Sequence, residues 1–317
     1  MKAKKFTGHL AALFTIIVWG TTVISSTKLL EGGLSPAEVV ICRFFLAFIL
    51  LNIIYPPRLK FEGIKRELTY VIGGLLGVTA YFFLEIVALQ YTKAANVSVI
   101  FATSPFFCGI FSFFSKKAEK PRFNFFVGFL LAITGIILVT FEDGFTFDLN
   151  VTGALFAIGS ALSWGLYSLL SKTIGSYGHN VIQTTRRIFM YGLIFMIPTV
   201  FIFDVDVNHI KLLADKEILF NLLYLALCAS GVCFLTWSHA TNALGPVKAT
   251  TYIYGTPLVT IIFSYFFLKS QTLTTQLFIG AALIIAGLVI SVTKSTSAKS
   301  PVKSGKKKKS KGRKKAR

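Results

Sequence analysis

A chain of 317 residues with 54% hydrophobic side chains, only 15% charged ones and a mean hydropathy of +0.69 has too little polar surface to cover a water-soluble globule. Its formal charge of +20 suggests a nucleic-acid partner until the charges are located: twelve lysines and arginines, with no acid among them, fall between Lys294 and Arg317. That tail has no apolar cluster to fold around and no aromatic residue to stack on bases, so it is read as a disordered cytoplasmic segment drawn to anionic lipid head groups, with no nucleic acid expected.

Ten runs are long and apolar enough to cross a bilayer, which takes about 20 residues at the helical rise. They are continuous rather than alternating, so they are helices and not strands of a barrel. The first, 8–30, carries Trp19 followed by Gly20, and Thr22; it lacks a small-residue cleavage site and is read as a retained helix. The second, 36–55, holds Arg43 and leads into a basic loop with Arg58, Lys60, Lys65 and Arg66. The third, 68–91, holds Tyr81 and Glu85, and the fourth, 94–115, holds Pro105 before a loop with Lys116, Lys117, Lys120 and Arg122. After the fifth, 124–141, come Glu142, Asp143 and Asp148. The sixth, 151–173, repeats Trp followed by Gly at Trp164 and adds Tyr167; the seventh, 181–203, holds Arg187 and is followed by Asp204, Asp206, Asp215 and Glu217. The eighth, 218–241, contains Trp237 and His239, the ninth, 247–268, contains Tyr252, Tyr254 and Pro257, and the tenth is 276–293.

Lysines 2, 4 and 5 precede the first span, and basic loops alternate with acidic ones along the chain. The basic side is the cytoplasmic side, so ten spans put both termini in the cytoplasm of a multi-pass cell-membrane protein, the inner membrane if the source is bacterial. The four cysteines, Cys42, Cys108, Cys228 and Cys233, lie inside apolar runs with no CxxC pair and read as packing residues; no metal site and no cofactor are expected.

The chain repeats itself. Pro105, Phe111, Ser112, Phe114, Gly128 and Gly135 recur 152 residues later as Pro257, Phe263, Ser264, Phe266, Gly280 and Gly287. At an offset of 145, Gly8, Trp19, Gly20 and Ser26 recur as Gly153, Trp164, Gly165 and Ser171. The expected organisation is a five-helix unit over 1–145, a second over 146–293, and the tail 294–317. Five crossings are an odd number, so the second unit enters from the opposite side and the repeat is inverted. Inverted halves can exchange roles around a midplane site, the basis of alternating access.

Trp–Gly in the first span of each half, the arginine of RFFLAFILL in the second, and ALQYTKAANVSVIFATSPFF leading into a glycine-containing last span resemble the EamA family of the drug/metabolite transporter superfamily, over about residues 8–293. The resemblance implies a ten-helix carrier, usually an exporter of amino acids or other small metabolites, with a central cavity between the halves. The eighth span departs from the family's apolar character at Trp237 and His239.

Within this frame, Pro105 and Pro257 are expected to kink spans 4 and 9, freeing the carbonyls of Phe101 and Ile253, and are the gating candidates. Charges inside spans are expensive and face a cavity or each other. Arg43 and Glu85 both lie about 10 Å from the outer ends of their spans by helical rise. They form either a structural ion pair or a proton switch in which Glu85 takes a proton and releases Arg43 to a substrate carboxylate. Arg43 corresponds to Arg187, but Glu85 corresponds to Trp237, so Arg187 is expected against a tryptophan face. Trp19, Thr22, Arg43, Tyr81, Glu85, Trp164, Tyr167, Arg187, Trp237 and Tyr252 form the candidate substrate-binding set. Aromatic walls with scattered hydroxyls (Thr22, Ser98, Thr103, Ser168, Thr251) suit a small amphipathic molecule rather than a highly phosphorylated one.

No phosphate loop, HExxH, GxSxG or carboxylate pair is present, which speaks against a pump and an enzyme. The expected function is secondary-active export of a small amphipathic metabolite such as an amino acid by alternating access, with proton coupling following if Glu85 is the switch and not half of a structural pair. The alternatives are an exchanger or importer without ion coupling, and a non-transporting or channel-like membrane module.

Overall fold

The computed structural model describes residues 2–92, 94–116, 118–140, 150–203, 205–267 and 275–293. Lys117, Glu142, Asp143, Asp148, Asp204 and the basic tail from Lys294 onward, on which parts of the topology reading rest, lie outside the described residues. All regular structure among the described residues is helical. In chain order the helices are α1 (Lys2–Glu31), α2 (Pro36–Ile54), α3 (Ile64–Tyr91), α4a (Ala94–Phe101), α4b (Ser104–Ser112), α5 (Phe123–Thr140), α6 (Val151–Gly175) and α7 (Val181–Ile202). A 3-10 turn (Val207–Ala214) leads to α8 (Lys216–Leu244), α9a (Pro246–Thr251), a second 3-10 turn (Tyr252–Gly255), α9b (Thr256–Phe267) and α10 (Thr275–Val292).

Eight of these helices are long and apolar enough to span a bilayer. The periphery agrees: Phe114, Phe201, Phe123 and Phe220 are between 71% and 83% exposed, a surface that water would not tolerate but acyl chains would cover. The protein is an all-α, multi-pass membrane protein. Starts and stops follow local chemistry. Ser35 and Glu38 form a capping box with Pro36 in the first turn of α2, Asn150 caps α6, Asn180 caps α7 and Asp215 caps α8. Gly245, at φ +90°, makes the reversal between α8 and α9a that an L side chain would resist.

Two sequence expectations need correction. The first helix begins at Lys2, so Lys2, Lys4 and Lys5 occupy its opening turns instead of preceding it. Pro105 and Pro257 do not kink continuous helices. Each is the second residue of a new segment, α4b or α9b, where the missing N–H costs nothing because the first turn has no intrahelical acceptor for it. The interruption falls two to five residues earlier, at Ala102–Thr103 and in the Tyr252–Gly255 turn, whose last two residues correspond to Ala102 and Thr103 at the 152-residue offset. The proline inside a helix is Pro198, near the end of α7.

Packing repeats with the sequence. A methyl group on Gly20 of α1 would meet Val259 Cβ at 2.5 Å and Thr256 O at 3.2 Å; on the corresponding Gly165 of α6 it would meet Phe107 Cβ at 3.3 Å and Ser104 O at 3.0 Å. Thr256 and Val259 are the 152-residue counterparts of Ser104 and Phe107. Gly8 lies against Ala243 and Leu244 as Gly153 lies against Tyr91 and Thr92, again at matching offsets. α1 therefore packs on α8 and α9b, and α6 packs on the end of α3 and on α4b. On the far side α5 and α10 run antiparallel, with Gly128 against the Gly287 carbonyl and Gly135 against the Gly280 carbonyl, close approaches that only small residues permit.

Candidate functional site

The site grows from two departures from regular helix. Leu75–Ala80 in α3 and Leu225–Val232 in α8 are π-helical, and they occupy corresponding positions in the repeat. Such widened turns are unfavourable on their own and recur at functional sites. The turn in α8 supplies two acceptors. The Trp19 indole N–H donates to Ala229 O at 3.1 Å, and Arg43 Nε donates to Ser230 Oγ at 2.7 Å. In α3 the Thr79 hydroxyl donates to Gly192 O of α7 at 2.8 Å, and Gly77 leaves room for the ring of Tyr167.

All three tryptophans of the chain converge here. Ring centroids lie 5.2 Å apart for Trp19 and Trp164, 5.2 Å for Trp19 and Trp237, and 5.8 Å for Trp164 and Trp237. Tyr81 is 5.1 Å and Tyr167 5.2 Å from Trp164, and Phe234 closes the cluster 5.9 Å away. Tilted and edge-to-face geometries let the positive ring edges meet the negative faces. Trp164 and Trp237 are 2% and 0% exposed, and neither indole N–H has an acceptor among the described residues. Leaving such a donor unpaired costs about 1–3 kcal/mol. Ser104 and Thr256, which open α4b and α9b and correspond in the repeat, also bury hydroxyls without a partner among the described residues.

The other sequence candidates scatter around this centre. Tyr81 OH donates to Glu85 Oε1 at 3.2 Å, tying the carboxyl to the cluster's rim. Arg43 does not pair with Glu85. Its guanidinium lies over Phe82 and Phe44, 5.1 and 5.4 Å from the centroids, because the α8 turn offers a nearer acceptor in Ser230. Arg187 is not stacked on Trp237 either. It forms a bidentate pair with Glu67, Nε to Oε1 at 2.7 Å and Nη2 to Oε2 at 2.8 Å, and Tyr191 donates to the same carboxylate. Glu67 at the start of α3 outcompetes an aromatic face. Thr22 donates to its own helix at Trp19 O, and Tyr252 OH meets His9 Nδ1 at 2.5 Å. Phe82, Phe234, Ser230 and Glu67 were not among the sequence candidates. Glu67 alone carried a signal, as an acid in the first turn of an apolar run after a basic loop.

A family model described as the EamA-like transporter family matches residues 6–141 and again 151–293. The chain belongs to the EamA-like transporter family. It is 27% identical over 294 residues to an uncharacterized transporter of Archaeoglobus fulgidus, covering 90% of this chain and 97% of that one. To the uncharacterized transporter YvbV of Bacillus subtilis it is 25% identical over 287 residues, 90% of this chain and 92% of the relative. The uncharacterized inner membrane transporter YhbE of Escherichia coli is 29% identical over 183 residues, 55% and 56% of the two chains. A solved crystal structure superposes with a TM-score of 0.70 at 18% identity over 89% of this chain and 95% of that one, a likeness of fold. Membership in the EamA-like family gives the protein a transport role, not an enzymatic one, as a lipid-embedded multi-pass protein acting on a small molecule.

Proposed function

We propose that this EamA-like protein is a secondary transporter with ten crossings, built as inverted five-helix units over 1–145 and 146–293, which carries a small amphipathic metabolite such as an amino acid by alternating access. Span 4 is then α4a with α4b, span 9 is α9a through α9b, and both termini are cytoplasmic. The observation that carries the reading is the exchanged packing of α1 and α6, each seated through corresponding glycines on the other half, with all three tryptophans at their meeting point. Equivalent contacts of opposite polarity give two states of similar energy, so rocking one half against the other exchanges them without loss of packing. The α4 and α9 breaks beside Pro105 and Pro257 are the hinges.

The unpaired indole donors of Trp164 and Trp237 supply the substrate logic: a solute carboxylate or carbonyl entering between the rings satisfies them, while the ring faces take its apolar part. Net flux is export, with Glu85 as the proton site. The deciding measurement is counterflow in proteoliposomes over a panel of amino acids and other small metabolites, with and without a pH gradient. Saturable exchange of one class, reduced at least tenfold in Trp164→Ala, is expected. Exchange indifferent to the pH gradient would establish an uncoupled exchanger or importer instead, and flux that fails to saturate would establish a channel.

A further inference from the structure

At the end of the molecule where α2 leaves and α3 begins, a cavity of about 310 Å³ opens between α2, the 55–63 loop and the first turns of α7. Its polar lining comes from Asn52, Arg58, Gln183, Arg186 and Arg187. On its apolar side Phe48 packs against the core that contains Trp164 and Trp237. The volume falls at the lower end of the range for small-molecule sites.

The charges in this cavity do not balance. Arg187 is neutralised by Glu67. Arg186 is only 6% exposed, yet its guanidinium is held by neutral groups, donating to Tyr55 O and Pro57 O at 2.7 Å each. No carboxylate of the described residues pairs with it, and the other charged groups lining the same cavity are Arg58 and Arg187. Arg58 is exposed at the mouth without an acidic partner among the described residues. Buried cations are ordinarily paired. Each guanidinium has five N–H donors, so Arg186 and Arg187 both keep donors beyond the bonds described. Anchoring the 55–57 carbonyls explains one arginine, but not the collection of three around an open volume.

We propose that this cavity binds a small oxyanion, a carboxylate or a phosphate group, through Arg58, Arg186 and Arg187, with Gln183 and Asn52 as neutral donors at its wall. The planar forks of arginine match such a group with two parallel hydrogen bonds. The anion reaches the site either as a free solute or as the head group of an anionic lipid, and the chemistry of recognition is the same. The site does not rest on the transport reading, because occupancy is measured without flux.

The test uses the purified full-length protein at constant ionic strength. Inorganic phosphate and acetate are titrated by calorimetry in detergent, and retention of phosphatidylglycerol over phosphatidylcholine is followed by native mass spectrometry after extraction from mixed vesicles. Arg58→Gln, at an exposed position, removes one cation without touching the Arg186 clasp. Lys60→Gln removes the same charge from the same loop outside the cavity, and a variant with Lys306, Lys307, Lys308 and Lys309 changed to Gln controls for the tail. The expected result is saturable binding that weakens at least about tenfold in Arg58→Gln, the loss of one charge-assisted hydrogen bond, and is unchanged in the other two. If only the lipid binds and shows that pattern, the ligand is a head group. Absence of both ligands, binding equal in Arg58→Gln, or binding lost in the tail variant would each overturn the proposal.

Discussion

Arg43 and Arg187 occupy matching places in the two halves and have opposite surroundings. Arg187 meets a carboxylate in two parallel hydrogen bonds, while Arg43 is 8% exposed with one hydroxyl and two phenyl faces. The reason lies in two positions: Glu67 and Glu38 have no acidic counterparts, since Leu219 and Ile182 stand there. Each end of the molecule is therefore closed by its own clasp, Glu67 with Arg187 beside the basic loop and Glu38 with His209 at the opposite end. Backbone packing follows the repeat and charge pairing breaks it, so two arrangements alike in helix packing differ in how firmly each end is held.

The comparison breaks most sharply at the paired arginine. Arg187→Ala strands Glu67, which is 13% exposed, and is expected to lower stability by about 3 kcal/mol in thermal unfolding, with Glu67→Gln/Arg187→Met recovering most of it. Where the halves agree, matched lesions should agree: Gly20→Ala and Gly165→Ala are each expected to cost about 2 kcal/mol by overpacking, and a large inequality would show that the halves do not bear load alike. Arg43→Met should change stability by less than about 1 kcal/mol, because an apolar side chain of similar length replaces a cation that has no carboxylate to abandon. Counterflow in the same variant should fall at least tenfold if Arg43 serves the solute, and stability with intact flux would make it a packing residue.

The smallest effect is at the clasp of Glu38 with His209. The Glu38 carboxylate raises the pKa of His209 above the ordinary imidazole value, and Asp206 adds to it. A raised histidine pKa contributes stability that is full below about pH 6.5 and is lost as pH climbs through the higher folded value. Hydrogen exchange over residues 205–214 should accelerate as pH rises through that window beyond the intrinsic base catalysis, and His209→Gln should remove the excess.

Much of the fold was legible because lipid imposes a one-dimensional rule: backbone groups must pair locally, so length and hydropathy fix each helix. The expected 151–173 and 181–203 became Val151–Gly175 and Val181–Ile202. Trp19, Trp164, Tyr81 and Tyr167 were named as candidates from the sequence, but no pattern in it said that their rings meet. Partner choice was not legible. Equal depth said nothing of azimuth, and Arg43 turned to Ser230 because a π-helical turn rotates that hydroxyl toward α2. Arg58 looked like a member of a topogenic basic loop and Arg186, inside an apolar run, was not singled out; only the fold sets them around a common volume.

The sequence by itself determined that this protein lives in a membrane, that its helices begin and end near where they do, and that its two parts repeat, because hydropathy, caps and offsets are local properties of the chain. The tertiary structure decided which half each first helix packs on, where the helices widen or break, and which charges meet. Those outcomes depend on fitting side chains across 100 or more residues of separation, for which hydropathy carries no code.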